Sequence, residues 1–227
     1  MLLPSVTRVQ MEEADRVMVE DLGIALLQMM ELAGSAVARV ASRRMPRTAL
    51  VLAGSGGNGG GALAAGRHLA NRGVSISVLH SSPPRRPETR HQSEVLGRLG
   101  ATPTDTPLEA DVVIDGVLGY SLSGPPRGRA SDLIRWMNGG GVPVVSVDLP
   151  SGLDPDGGGG LRVAATDVVT LALPKPGLLE VEADHWLADI GIPPLVWDRI
   201  GVEVPEDPFG GERVVPIRPS AGGWVSG

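Results

Sequence analysis

Residues 48–62 read TALVLA followed by GSGGNGGGA. Six mostly apolar residues closed by glycines read as a short strand buried on both faces, the kind found in parallel sheets. Gly54, Gly56 and Gly59 then fall at G-x-G-x-x-G spacing. The predicted helix that follows, Ala62 to Arg72, completes a strand–glycine–helix unit. Glycine lets a backbone turn tightly and approach a phosphate, and a helix N-terminus offers unpaired N–H groups and a partial positive charge. A tight turn with no ligand has the same spacing. A standard nicotinamide-cofactor reading also needs an acid about 20 residues on to hold the ribose. The next strand, Val74 to Leu79, is followed instead by His80 and Ser81. Arg85 and Arg86 are open to two readings, a contact to a 2′-phosphate or a solvated turn.

Strand and helix alternate from there onward. Helices are predicted over Pro87 to Leu99 and Ala130 to Met137. Strands are predicted over Val112 to Asp115, Val144 to Asp148, Asp167 to Leu173 and within His185 to Ile190. Upstream, Thr7 and Gln10 have capping-box spacing before a helix through Asp21. A second helix, Ala25 to Arg43, carries an apolar stripe of Leu26, Leu27, Met30, Ala33, Val37 and Val40. The expected fold is a single Rossmann-like three-layer α/β/α domain over residues 1–204. Its sheet is mostly parallel, and the two N-terminal helices extend it. Residues 205–227, rich in Gly and Pro, are expected to form an irregular tail.

Composition narrows the function. The 227 residues include 20 Lys plus Arg and 26 Asp plus Glu, so 20 − 26 = −6. That balance excludes a general nucleic-acid binder, whose affinity comes from neutralising phosphates. There are no cysteines. Disulfides, thiolate zinc sites and cysteine nucleophiles are therefore excluded, and a cytoplasmic location is expected. No apolar run approaches the roughly 18 residues of a membrane span. The first residues lack the basic and apolar segments of a secretory signal. The four histidines, His68, His80, His91 and His185, have no metal-ligand spacing between them.

In an open parallel sheet, ligands bind beyond the carboxyl ends of the strands. Four predicted strands deliver glycines and polar side chains to that one rim. They lead into the glycine loop, Asp115 with the Gly119 to Pro125 segment, Asp148 with Ser151, and Lys175, the only lysine of the chain. A carboxylate at the end of a buried strand needs a cation, hydrogen bonds or a proton. Asn58, Asp115 and Ser151 are hard oxygen donors, suited to an alkali or alkaline-earth cation rather than zinc.

The chain resembles the NAD(P)HX epimerases, the YjeF N-terminal domains. The resemblance rests on M-x-x-A-D (Met11 to Asp15), L-x-M-M-E-x-A-G (Leu27 to Gly34), the glycine loop and A-x-R-H-L (Ala65 to Leu69). It continues through V-I-D-G-V-L-G (Val113 to Gly119), V-D-L-P-S-G-L-D (Val147 to Asp154), L-P-K-P-G (Leu173 to Gly177) and D-I-G-I-P (Asp189 to Pro193). It implies interconversion of the R and S forms of hydrated NADH and NADPH by a Rossmann-like, often homodimeric protein that binds a potassium ion. By position, the potassium ligands would be Asn58, Asp115 and Ser151; Asp148 is expected, as a mechanistic reading, to exchange the proton as general acid and base. Substrate contacts would be Gly57, Asn58, Gly59, Gly60 and Gly61, then Gly119, Tyr120, Ser121, Leu122, Ser123, Gly124 and Pro125, with Asp148. Lys175 is assigned a contact from its place on the rim. The family loop reads N-N-G-G-D-G where this chain has Gly57 to Ala62, so glycine replaces its first Asn and its Asp. A charged hydrogen bond contributes about 1.5–3 kcal/mol. An alternative reading is therefore a non-catalytic nucleotide- or partner-binding module that keeps the fold.

Overall fold

A computed structural model describes residues 1–120 and 124–226. The chain opens with a two-residue strand, β1 (Leu2–Leu3), and helix α1 (Arg8–Arg16), which continues as one π-helical turn to Asp21. Thr7 caps α1 as its spacing predicts: its Oγ1 accepts from Gln10 N, and its own N–H donates to Gln10 Oε1. Next come α2 (Leu26–Ser42), β2 (Thr48–Ala53), α3 (Gly57–Ala70), β3 (Ser75–His80), α4 (Pro87–Arg98), β4 (Thr102–Pro103) and β5 (Val112–Gly116). The second half contains α5 (Gly128–Gly139), β6 (Val144–Val147), β7 (Asp167–Leu171), β8 (Asp184–Ala188), α6 (Pro194–Arg199), β9 (Val214–Ser220) and β10 (Gly223–Ser226).

These strands form one sheet in the order β1-β10-β9-β8-β7-β6-β5-β2-β3-β4. From β4 to β8 every pairing is parallel. After β2 the chain winds outward to β3 and β4, then returns to β5 on the other side of β2 and winds away through β6, β7 and β8. The strand order therefore reverses between β2 and β5, where this type of sheet opens a crevice at its carboxyl ends. Alternate residues of the strands feed two cores. Val51, Ile114, Val145 and Val169 pack with Val37, Leu63 and Leu96 of α2, α3 and α4. Leu50, Val113, Val144 and Val168 pack on the other face with Leu133, Ile134 and Met137 of α5. Among the described residues, no helix is long and apolar enough to cross a membrane.

Two expectations are corrected. The tail is irregular only up to Arg213. Val214–Ser220 and Gly223–Ser226 form antiparallel strands that pair with β8 and with β1. The anchor is Trp224, fully buried, with the His185 ring edge-on at 4.7 Å. Burial of that indole explains why the segment orders, and burial lowers the His185 pKa. The second correction concerns α3, which starts at Gly57 rather than Ala62, so the glycine loop is largely the first turns of the helix. Close packing constrains Gly59 and Gly60 in particular. A Cβ on Gly59 would lie 2.1 Å from the Gly54 carbonyl oxygen, and one on Gly60 2.7 Å from Met30 Sδ of α2. A Cβ on Gly57 would meet no atom within 4 Å.

The contrast is measurable by urea unfolding. Gly59→Ala must displace backbone, so it is expected to destabilise the fold by at least about 3 kcal/mol or to block folding. Gly57→Ala is expected to leave stability within about 0.5 kcal/mol of the wild type.

Candidate active site

A cavity of about 290 Å³ opens at the strand-order reversal. Its lining includes Gly57, Asn58, Gly59 and Gly61 of the helix start, Gly119 and Tyr120 after β5, and Asp148 and Lys175. These residues of the expected site are thus brought together. Gly60 is turned instead toward Met30 and Thr89, and Gly124 and Pro125 are exposed and do not line the cavity. The expected contacts at Ser121, Leu122 and Ser123 lie outside the described residues.

Asp148 directly follows β6 with φ +66°. A side-chain-bearing residue held in this left-handed region is strained by about 1–3 kcal/mol, and surrounding bonds must hold it there. They are present: Asp148 N donates to the Val169 carbonyl at 2.8 Å, and Oδ1 accepts from Leu171 N at 3.0 Å. Lys175 Nζ donates to the same Oδ1 and, at 2.9 Å, to the Leu171 carbonyl. Both side chains are almost completely buried. An unpaired charge at that depth is strongly unfavourable, so each ion requires the other.

Asp115, at the end of β5, is also fully buried but has no cation partner among the described residues. Its Oδ1 accepts from Ser151 Oγ at 2.5 Å and Val117 N at 3.3 Å. Its Oδ2 accepts from Ser146 Oγ at 2.8 Å and Ser151 N at 2.9 Å. Burial raises its pKa, and the four donors oppose that rise. Asp115 and Ser151 lie beside the cavity rather than on its surface, and hydrogen bonds connect them to it. Ser151 Oγ lies 3.3 Å from the Leu118 carbonyl, and the Asn58 amide donates to that carbonyl at 3.3 Å and to the Val147 carbonyl at 2.7 Å.

Sequence reasoning missed Asp15 as a site residue, although it ends the M-x-x-A-D motif. From α1 it lines the cavity, and its Oδ2 accepts the hydroxyl proton of Tyr120. Burial raises the Asp15 pKa, and the Asp148 charge raises it further against the Tyr120 hydrogen bond. Burial, then the Asp15 charge, pushes the Tyr120 phenol up as well. Arg86 also lines the cavity, so of the two readings left open for it a ligand contact is the one its position favours.

Fold and site together define an α/β protein with a cavity where its parallel strands diverge, lined by buried ionisable side chains. A family model described as YjeF-related protein N-terminus matches residues 26–177. An NAD(P)H-hydrate epimerase of Dehalogenimonas lykanthroporepellens is 43% identical, with 88% of this chain and 86% of that protein covered. The Plasmodium vivax NAD(P)H-hydrate epimerase is 31% identical, with 88% of this chain and 72% of that protein covered. The crystal structure of yeast ynu0, YNL200c, has the same fold, with a TM-score of 0.81 at 24% identity over 99% of this chain and 100% of that one. This chain belongs to the YjeF-related N-terminal family.

The buried ion pair gives a direct test by thermal and urea unfolding. Lys175→Met, which strands the Asp148 charge, is expected to destabilise the protein by about 3–5 kcal/mol. Adding Asp148→Asn removes that charge and is expected to recover more than half of the loss, the signature of a coupled pair.

Proposed function

We infer that this chain is an NAD(P)H-hydrate epimerase, an isomerase that interconverts the R and S forms of hydrated NADH and NADPH. The observation that carries the reading is the buried Asp148–Lys175 pair in a cavity shared with the glycine-rich start of α3. The cavity is at the small end of the roughly 300–1,000 Å³ range of ligand pockets. It suits the reacting ring, with the remainder of the dinucleotide lying across the rim toward Arg86. The N–H groups of Gly57, Asn58 and Gly59 start a helix and have no partner within it, which suits them to an anionic or carbonyl group of the substrate.

The two epimers differ in which ring face bears a hydroxyl, on the carbon beside the ring nitrogen. Inversion requires that C–O bond to break and to re-form on the other face. The Asp148–Lys175 pair gives a proton to the hydroxyl, Lys175 supplying it through the Asp148 carboxyl, and water departs. The nitrogen lone pair closes a C=N bond, and the positive charge is spread over the ring. Water then adds from the opposite face and gives its proton to a base there, so atoms and charge return to their starting count. Lys175 keeps the Asp148 carboxyl aimed. The acidic cavity favours the cationic ring over the neutral substrate, the differential stabilisation that lowers a barrier. Proton transfer by a positioned group is worth typically about 100- to 10,000-fold.

Potassium is part of the same reading. Asp115, Ser151 and Asn58, with the carbonyls their hydrogen bonds reach, are a connected set of hard oxygens and fit an alkali cation. Asn58, Asp115 and Ser151 would hold it, the amide presenting its oxygen. The ion would offset the buried Asp115 charge.

The glycines that replace the family Asn and Asp leave the backbone N–H groups of the helix start in place. The non-catalytic alternative therefore rests on the loss of those two side chains alone.

Two measurements test the reading. Wild type should convert R-NADPHX to its epimer well above the spontaneous rate, and Asp148→Asn should be slower by about 100- to 10,000-fold. A wild-type rate equal to the spontaneous one overturns the assignment. Replacing sodium chloride with potassium chloride at constant ionic strength should raise the wild-type melting temperature. Asp115→Asn should abolish that difference.

A further inference from the structure

Inversion at a ring carbon has two faces to serve, and Asp148 is tied to one place. Its Oδ1 is held by Leu171 N–H and Lys175, and its backbone is locked at φ +66°. A carboxylate held in this way cannot swing across the ring. The proton released when water adds on the other face therefore needs a second acceptor.

The titratable groups lining the cavity besides Asp148 and Lys175 are Glu12, Asp15, Arg86 and Tyr120. Arg86 has no acceptor capacity. The Tyr120 phenol is pushed up by burial and by the Asp15 charge, so it stays a hydrogen-bond donor. Glu12 is exposed, and no hydrogen bond orients it among the described residues. Asp15 differs on both counts. It is partly buried, and the Tyr120 hydroxyl fixes Oδ2. Oδ1 has no hydrogen-bond partner among the described residues. Its support is separate from that of Asp148: one rests on α1 and the residue after Gly119, the other on β6 and β7.

We propose that Asp15 is the second acid–base residue of the epimerase, serving the ring face that Asp148 does not, with Tyr120 as its positioning residue. This rests on the epimerase reading. In one direction the Asp148–Lys175 pair protonates the leaving hydroxyl, Lys175 supplying the proton through the Asp148 carboxyl, and Asp15 takes the proton of the incoming water. In the other direction they exchange roles, and each ends as it began after a forward and a reverse turnover. Burial, and after it the Asp148 charge, favours the protonated form of Asp15, which suits a group that must take up a proton and hold it for the reverse reaction.

The test uses substrate labelled with oxygen-18 in the ring hydroxyl, each epimer separately, in unlabelled water. Wild type should wash out label and epimerise from either side. Asp15→Asn should lose epimerisation by about 100- to 10,000-fold. It should still wash label out of one epimer within about tenfold of wild type, because Asp148 alone can expel and re-add water on its own face. The other epimer should be inert. Asp148→Asn should show the same pattern with the epimers interchanged, and Asp15→Glu should restore part of the epimerisation. Thermal melting would establish that each variant is folded. Epimerisation by folded Asp15→Asn within about threefold of wild type would overturn the proposal. So would equal loss of wash-out from both epimers, which is the mark of a merely structural role. A wild type that does not epimerise at all would overturn the epimerase reading instead, which keeps the two failures distinct.

Discussion

A carboxylate withdrawn from water must find a cation, donors or a proton. Two neighbouring strands each end in one, and their different solutions organise the site. Asp148 takes a buried lysine. Asp115 takes two serine hydroxyls and two backbone N–H groups. The first solution pins the segment after β7 to the end of β6, because Lys175 binds both Asp148 and the Leu171 carbonyl. The second pins the turn after β6 to the end of β5 through Ser151. Three successive strand ends are thus stitched together by charges that have no other outlet, and the cavity lies along that seam.

The remaining wall comes from a helix whose first five residues are glycine apart from Asn58. Gly59 lets α3 approach the Gly54 backbone more closely than any Cβ permits, and Gly60 leaves room for the Met30 thioether of α2. Gly34 does the same from the other side, where a Cβ would lie 2.5 Å from that of Ala64. The close approach brings Asn58 within reach of carbonyls after β5 and on β6. Helix packing and ligand access are here one requirement, met by the same residues.

Much of this was legible in the sequence. Short apolar runs located the central strands within a residue or two, because about four to seven β-branched and aliphatic residues bounded by turn signals fit a strand buried on both faces and are too short for a buried helix. The meeting of Asn58, Asp148 and Lys175 followed from the rule that such strands deliver their ends to one rim. Three features were not legible. The helical state of Gly57 to Gly61 runs against glycine's low helix propensity and depends on contacts with α2 that no local pattern records. The strand VVPIRPS carries Pro216 and Pro219, which ordinarily argue against an internal strand; its order depends on the buried Trp224 of the adjoining β10 and on pairing with β8. Asp15 reads as a polar position on the first helix, and only the fold brings it against Tyr120.

Lys175 is the one lysine of the chain, and it is almost entirely enclosed. Every other side-chain cation that stays charged at neutral pH is a guanidinium, so the folded molecule offers solvent no ε-amine for acylation or enzymatic tagging. The same arithmetic makes the site its own reporter. A single isotope-labelled lysine yields one resonance, and that resonance belongs to the ion pair. Slow acylation of this amine counts the moments at which the interior opens.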